Sequence, residues 1–152
     1  MDIENPKIPP NSIDSEQSVL GGLLLHNDSW DNVVNIISSD DFYQASHRII
    51  YDAIVILLEH DKPADILTVK EQVIKTHDEE SIGGFAYLAQ IAENTPSVSN
   101  IDAYAKHVRE LSIFRQLIKI GRELADTAFH PKDIEVNNLL DLSERKIFEI
   151  AG

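Results

Sequence analysis

Cysteine is absent from this 152-residue chain, so no disulfide framework, thiolate nucleophile, cysteine-type zinc site or iron–sulfur cluster can be built from it. A chain of that length buries roughly two-thirds of its unfolded surface without such staples. Cations are scarce: 13 Lys and Arg stand against 26 Asp and Glu, a formal charge of −13. Phosphate backbones supply most non-specific affinity for nucleic acid, and a surface so acidic repels them, so strong direct DNA binding is not expected. Long apolar runs are missing too. The longest, Ala53 to Leu58, falls far short of the roughly 18 residues of a membrane span, and Met1-Asp2-Ile3-Glu4 lacks the cationic start of a secretory signal. Together these absences predict a soluble cytoplasmic protein without a membrane segment.

Proline is rare and unevenly placed. Pro6, Pro9 and Pro10 predict an irregular, flexible arm over residues 1–11, because proline cannot extend a helix interior. Asp14 with Gln17 matches a capping box, and Leu20, Leu23 and Leu24 then recur at helical spacing, placing a first helix at about residues 15–26. Asn27-Asp28-Ser29 breaks it ahead of a short helix carrying Trp30, Val33, Val34 and Ile37. A third helix runs from about Ser46 to Glu59 and stops at Lys62-Pro63. Thr68 with Glu71 forms a second capping-box pattern before Val69, Val73 and Ile74. Ser81-Ile82-Gly83-Gly84 precedes a helix with Phe85, Tyr87, Leu88 and Ile91, closed by Thr95-Pro96. From Ile101 to about Phe129 there is no proline and one glycine, which allows a single helix of roughly 40 Å at 1.5 Å per residue. Phe129 to Asp133 turns the chain, and Val136 to Ala151 returns as a shorter helix. The fold expected is all-α: a compact helical head over 12–97, then a protruding C-terminal αα-hairpin over 98–152.

On the long helix, Leu111, Phe114, Leu117, Ile118, Ile120, Leu124, Ala125, Ala128 and Phe129 spread over an arc of roughly 180°, whereas a single packing partner needs about 100°. Leu111, Phe114, Ile118, Gly121, Ala125 and Ala128 also alternate in three- and four-residue steps, the seam of helices packed side by side, and Gly121 would let a neighbour come close. Either the head folds back over the surplus, or another subunit or protein covers it. The return helix is the shorter, so the last third of the long helix is expected to lack an internal partner. The candidate self-association or partner face is Leu111, Phe114, Leu117, Ile118, Gly121, Ala125 and Phe129.

No catalytic, cofactor-binding or metal residue stands out. Gly21-Gly22 is followed by leucines and Gly83-Gly84 by Phe85-Ala86-Tyr87, so the phosphate loop Gly-x-x-x-x-Gly-Lys-Ser/Thr is absent and ATP hydrolysis by this chain is not expected. None of the six histidines has Glu three positions before it, as di-iron bundles require. His107 and Glu110, one turn apart, read as a solvated pair. Asp40-Asp41 reads as a helix cap. Gly21 and Gly22 each cost a helix interior about 1 kcal/mol against alanine, which points to close helix packing. A helical enzyme using carboxylates on a metal is the competing class.

The stretch Pro10-Asn11-Ser12-Ile13-Asp14-Ser15-Glu16-Gln17-Ser18-Val19-Leu20-Gly21-Gly22 resembles the opening of bacterial replicative DNA helicases of the DnaB type. Asp41-Phe42-Tyr43 with His47-Arg48, Asp65-Ile66-Leu67-Thr68, Gly83-Gly84-Phe85-Ala86-Tyr87-Leu88, Asn94-Thr95-Pro96-Ser97, and Asn100-Ile101 with Tyr104-Ala105 follow in that family's order. One departure is local, His77-Asp78-Glu79-Glu80, where relatives commonly carry glycine and an apolar residue. The resemblance covers about residues 10–150. It implies the amino-terminal domain alone, ending before the linker and the ATPase domain where ATP and magnesium bind. It further implies a collar in which hairpins pair as dimers and three dimers form a hexamer, recruiting the C-terminal domain of primase and meeting a helicase loader. A free-standing acidic adaptor imitating that domain is the alternative.

Overall fold

The computed structural model describes residues 7–96 and 98–151. Residues 1–6 of the expected arm and Ser97 lie outside them, and residues 7–11 are without helix. All regular structure among the described residues is helical, as expected: α1 (Ile13–Leu25), α2 (Trp30–Val33), α3 (Ala45–Glu59), α4 (Ile66–Val73), α5 (Phe85–Glu93), α6 (Ile101–Phe129) and α7 (Val136–Ala151). Short 3-10 turns at Asn27–Ser29, Ser39–Asp41, Glu79–Ile82 and Val98–Asn100 join them. The chain divides into two compact units, Asn11–Leu111 and Met1–Pro10 with Ser112–Gly152.

In the unit of residues 11–111, periodic apolar positions meet in one core: Val19, Leu20 and Leu23 of α1, Ile50 and Ile54 of α3, Val69 of α4, Leu88 and Ile91 of α5, and Ile101, Ala105 and Val108 of α6. Two helix starts lie one cap earlier than the sequence pattern predicts. Ser12, not Asp14, caps α1, its hydroxyl accepting from the Ser15 N–H at 3.2 Å, while Asp14 sits in the first turn, where a carboxylate favours the helix dipole. Asp65 opens α4 by accepting from the Thr68 N–H at 2.9 Å, and the Thr68 hydroxyl accepts the Asp65 N–H at 2.8 Å. Asp65-x-x-Thr68 and Thr68-x-x-Glu71 overlap in sequence, and the earlier one forms the box. The glycine pair does mark close packing: a Cβ on Gly21 would stand 2.7 Å from the Ile91 carbonyl oxygen, and one on Gly22 2.7 Å from Ile101 Cδ1.

In the other unit, α7 packs antiparallel along the outer part of α6. Ile120, Leu124 and Thr127 face Leu139, Leu142, Ser143 and Lys146 across a gap of about 20 Å³, room for about one water. Lys146 Nζ donates to Glu123 Oε2 at 3.0 Å along the same seam. The expectation that the last third of the long helix lacks an internal partner is therefore wrong. A return helix begins beside the end of the helix it follows, so α7 covers that end. The α6 residues it does not serve are the first ones, and these enter the core of residues 11–111.

Candidate functional site

The seam leaves much of the α6 apolar arc outside. Ile120 and Leu124 turn inward, whereas Phe114 is 49% exposed, Leu117 42%, Ile118 39% and Phe129 82%. Gly121 and Ala125 are exposed between them. Of the predicted face only Leu111 differs: it is half-buried and belongs to the unit of residues 11–111. At about 100° per residue, the inward and outward sets lie roughly 110° apart on one helix. Gly121 is the informative member. A Cβ built there meets nothing within 4 Å, so no contact inside the chain explains a residue that costs a helix interior about 1 kcal/mol. On α7 the apolar side also divides, with Leu139 at the seam and Val136, Leu140, Ile147 and Phe148 exposed.

A second constellation, which the sequence reading missed, lies inside the unit of residues 11–111. Buried Glu16 of α1 and His47 of α3 meet at 2.7 Å through Oε1 and Nδ1. The His47 Nε2 stands 2.7 Å from the Tyr87 hydroxyl, which accepts from Gln17 Nε2 at 3.0 Å. The same carboxylate accepts the N–H groups of Tyr43 at 2.8 Å and Gln44, the N-cap of α3, at 3.3 Å. The carboxylate thus ties α1 to α3, and His47 and Gln17 carry the network on to Tyr87 of α5; such satisfaction is what allows ionisable groups in a core. A signal was present in the sequence. Glu16 keeps helical register with Val19, Leu20 and Leu23, and His47 with Ile50, Tyr51 and Ile54, so each polar residue interrupts an apolar stripe.

Asp41, read from sequence as a cap, both caps and pairs. It accepts the Ser38 N–H at 2.9 Å and, buried, the Arg109 guanidinium of α6 at 2.9 Å. Nearby, burial first, then repulsion from Asp41 and Asp52, pushes the Tyr51 hydroxyl up to about 12. Among the described residues no three of His, Asp and Glu gather as a metal-holding group, and no helix is long and apolar enough to cross a membrane. A cleft of about 330 Å³ lined by Asp14, Gln17, Ser18, Asn94 and Thr95 offers amides, hydroxyls and one carboxylate.

Residues 8–110 match the family model described as DnaB-like helicase N terminal domain. The replicative DNA helicase DnaB of Pasteurella multocida is 43% identical over 149 residues, covering 98% of this chain and 32% of that protein. The replicative DNA helicase DnaC of Bacillus subtilis is 37% identical over 150 residues, covering 99% and 33%. The chain thus spans about a third of the length of these curated relatives. The crystal structure of the N-terminal domain of DnaB helicase from Mycobacterium tuberculosis superposes with a TM-score of 0.88 at 31% identity, over 93% of this chain and 99% of that one. A DnaB-like replicative helicase, whose structure was described with its interactions with primase, shares the fold at a TM-score of 0.73 and 20% identity, over 91% of this chain and 31% of that one.

Proposed function

The chain belongs to the DnaB-like helicase N-terminal domain family, and from that premise we propose that it is the collar module of a hexameric replicative DNA helicase, joining subunits through the outer face of α6 and recruiting primase during DNA replication. One observation carries the self-association: Phe114, Leu117 and Ile118 stand exposed around a glycine with open space before it. A two-fold contact uses the same patch on both copies. Gly121 and Ala125 let two such helices approach to about 8 Å, with the larger side chains packing to either side. Pairing of hairpins gives dimers, and three dimers close the collar.

Primase, through its C-terminal domain, is the partner proposed for this assembly, supported by the likeness to a helicase whose structure was described with its interactions with primase. A helicase loader acts on the same collar. ATP and its magnesium belong to the rest of such a parent, and the acidic surface here leaves the grip on DNA to that part.

Replacing Phe114 and Ile118 together by Asp tests the face. Light scattering is expected to show a lower mass than the parent chain, with the helical circular dichroism unchanged; an unchanged mass would reject the assignment. Titration with a primase C-terminal fragment tests recruitment. Saturable binding is expected, and no binding at high micromolar concentration would exclude direct recruitment by this module.

A further inference from the structure

Building on the self-association proposed above, we infer that assembly of this chain is opposed by its own charge, so that ionic strength sets how tightly copies join. The charge is unevenly divided. Residues 11–111 carry 17 carboxylates against six cations, net −11, whereas residues 1–10 with 112–152 carry nine against seven, net −2. The outer positions of α6 from Phe114 to Ala125 named above are uncharged, so the contact itself buries apolar surface, and the hairpin's Glu123 already holds Lys146 within the chain.

Each associating copy nevertheless brings a strongly acidic unit with it. Joining two chains brings into one particle two acidic units that free chains keep apart, and like charges repel over whatever distance the Debye length allows. The Debye length is about 30 Å at 10 mM salt and roughly 8 Å at 150 mM, so the repulsion reaches between units at low salt and is largely screened at physiological salt. The counts fix the sign. An interface held by ion pairs between copies loosens as salt rises, because screening removes attraction. An apolar, nearly neutral contact between strongly acidic partners tightens, because screening removes repulsion.

Sedimentation equilibrium of the whole chain at 20, 100, 300 and 500 mM sodium chloride tests this. The dimer Kd is expected to fall at least tenfold between 20 and 300 mM. A second protein carrying Asp28→Asn, Glu59→Gln, Glu71→Gln and Glu93→Gln, all at exposed positions of residues 11–111, separates repulsion from general salting-out. It is expected to dimerise more tightly than the parent at 20 mM and to show a shallower salt dependence, with unchanged circular dichroism. Association that weakens with salt, or an equal slope in the two proteins, overturns the inference while leaving self-association standing. A chain that stays monomeric at every salt concentration overturns the self-association reading itself, and this inference with it.

Discussion

Glu16 ties α1 to the start of α3, because one carboxylate satisfies His47 and two N–H groups there. Glu16→Ala leaves those donors buried without a partner, and about 3 kcal/mol of stability is expected to go. Glu16→Gln, which keeps one acceptor oxygen and the volume, should cost less; urea midpoints of the two variants check the order. Tyr51 supplies a pH signature. Its hydroxyl ionises near 10 in the unfolded chain and near 12 in the folded one, so the folded state keeps a proton that the unfolded state sheds. Stability from this group is therefore complete below pH 10 and is lost between pH 10 and 12, by about 1.4 kcal/mol per unit of displacement. Against Tyr51→Phe, the parent should lose stability faster across that window in urea titrations, and parallel declines would contradict the assignment.

The two long helices divide their apolar surface between an internal seam and an outer face, and Gly121 separates the two demands. Gly121→Ala should stabilise the isolated chain by up to about 1 kcal/mol, since a Cβ there meets nothing within 4 Å. The same methyl should weaken self-association, where helices must come close. Thermal melting at low concentration and sedimentation at high concentration read the two effects separately, and tighter association in the variant would contradict the assigned contact. The ends of α6 and α7 were legible because proline and turn residues stop the periodic pattern at Pro96, at His130-Pro131 and again before Val136. The division of the arc was not. A helical wheel shows how wide an apolar surface is, but Ile120 and Leu124 are assigned to the seam only by where α7 lies. Caps slipped for a related reason, since Ser12 and Asp14, or Asp65 and Thr68, offer competing patterns that geometry alone resolves. The Glu16–His47–Tyr87 relay joins residues 31 and 40 positions apart, and periodicity marks each polar interruption without saying which meets which.

At the scale of the molecule, acidic charge concentrated in residues 11–111 accompanies an almost neutral hairpin unit with exposed apolar side chains. The first part discourages contact with phosphate backbones, and the second offers the apolar surface on which we propose that copies meet. Because the chain lacks cysteine, the proposed contact can be tested with single thiols. Gly121→Cys, Ala125→Cys and Ile118→Cys place one thiol on the outer face, and Lys119→Cys and Asp126→Cys place one on exposed positions elsewhere on α6. A disulfide forms only where Cα atoms come within about 7 Å. Mild oxidation followed by non-reducing electrophoresis should give dimers from at least one outer position and from neither control; equal cross-linking at all five positions, or none at any, would contradict a subunit contact through this face.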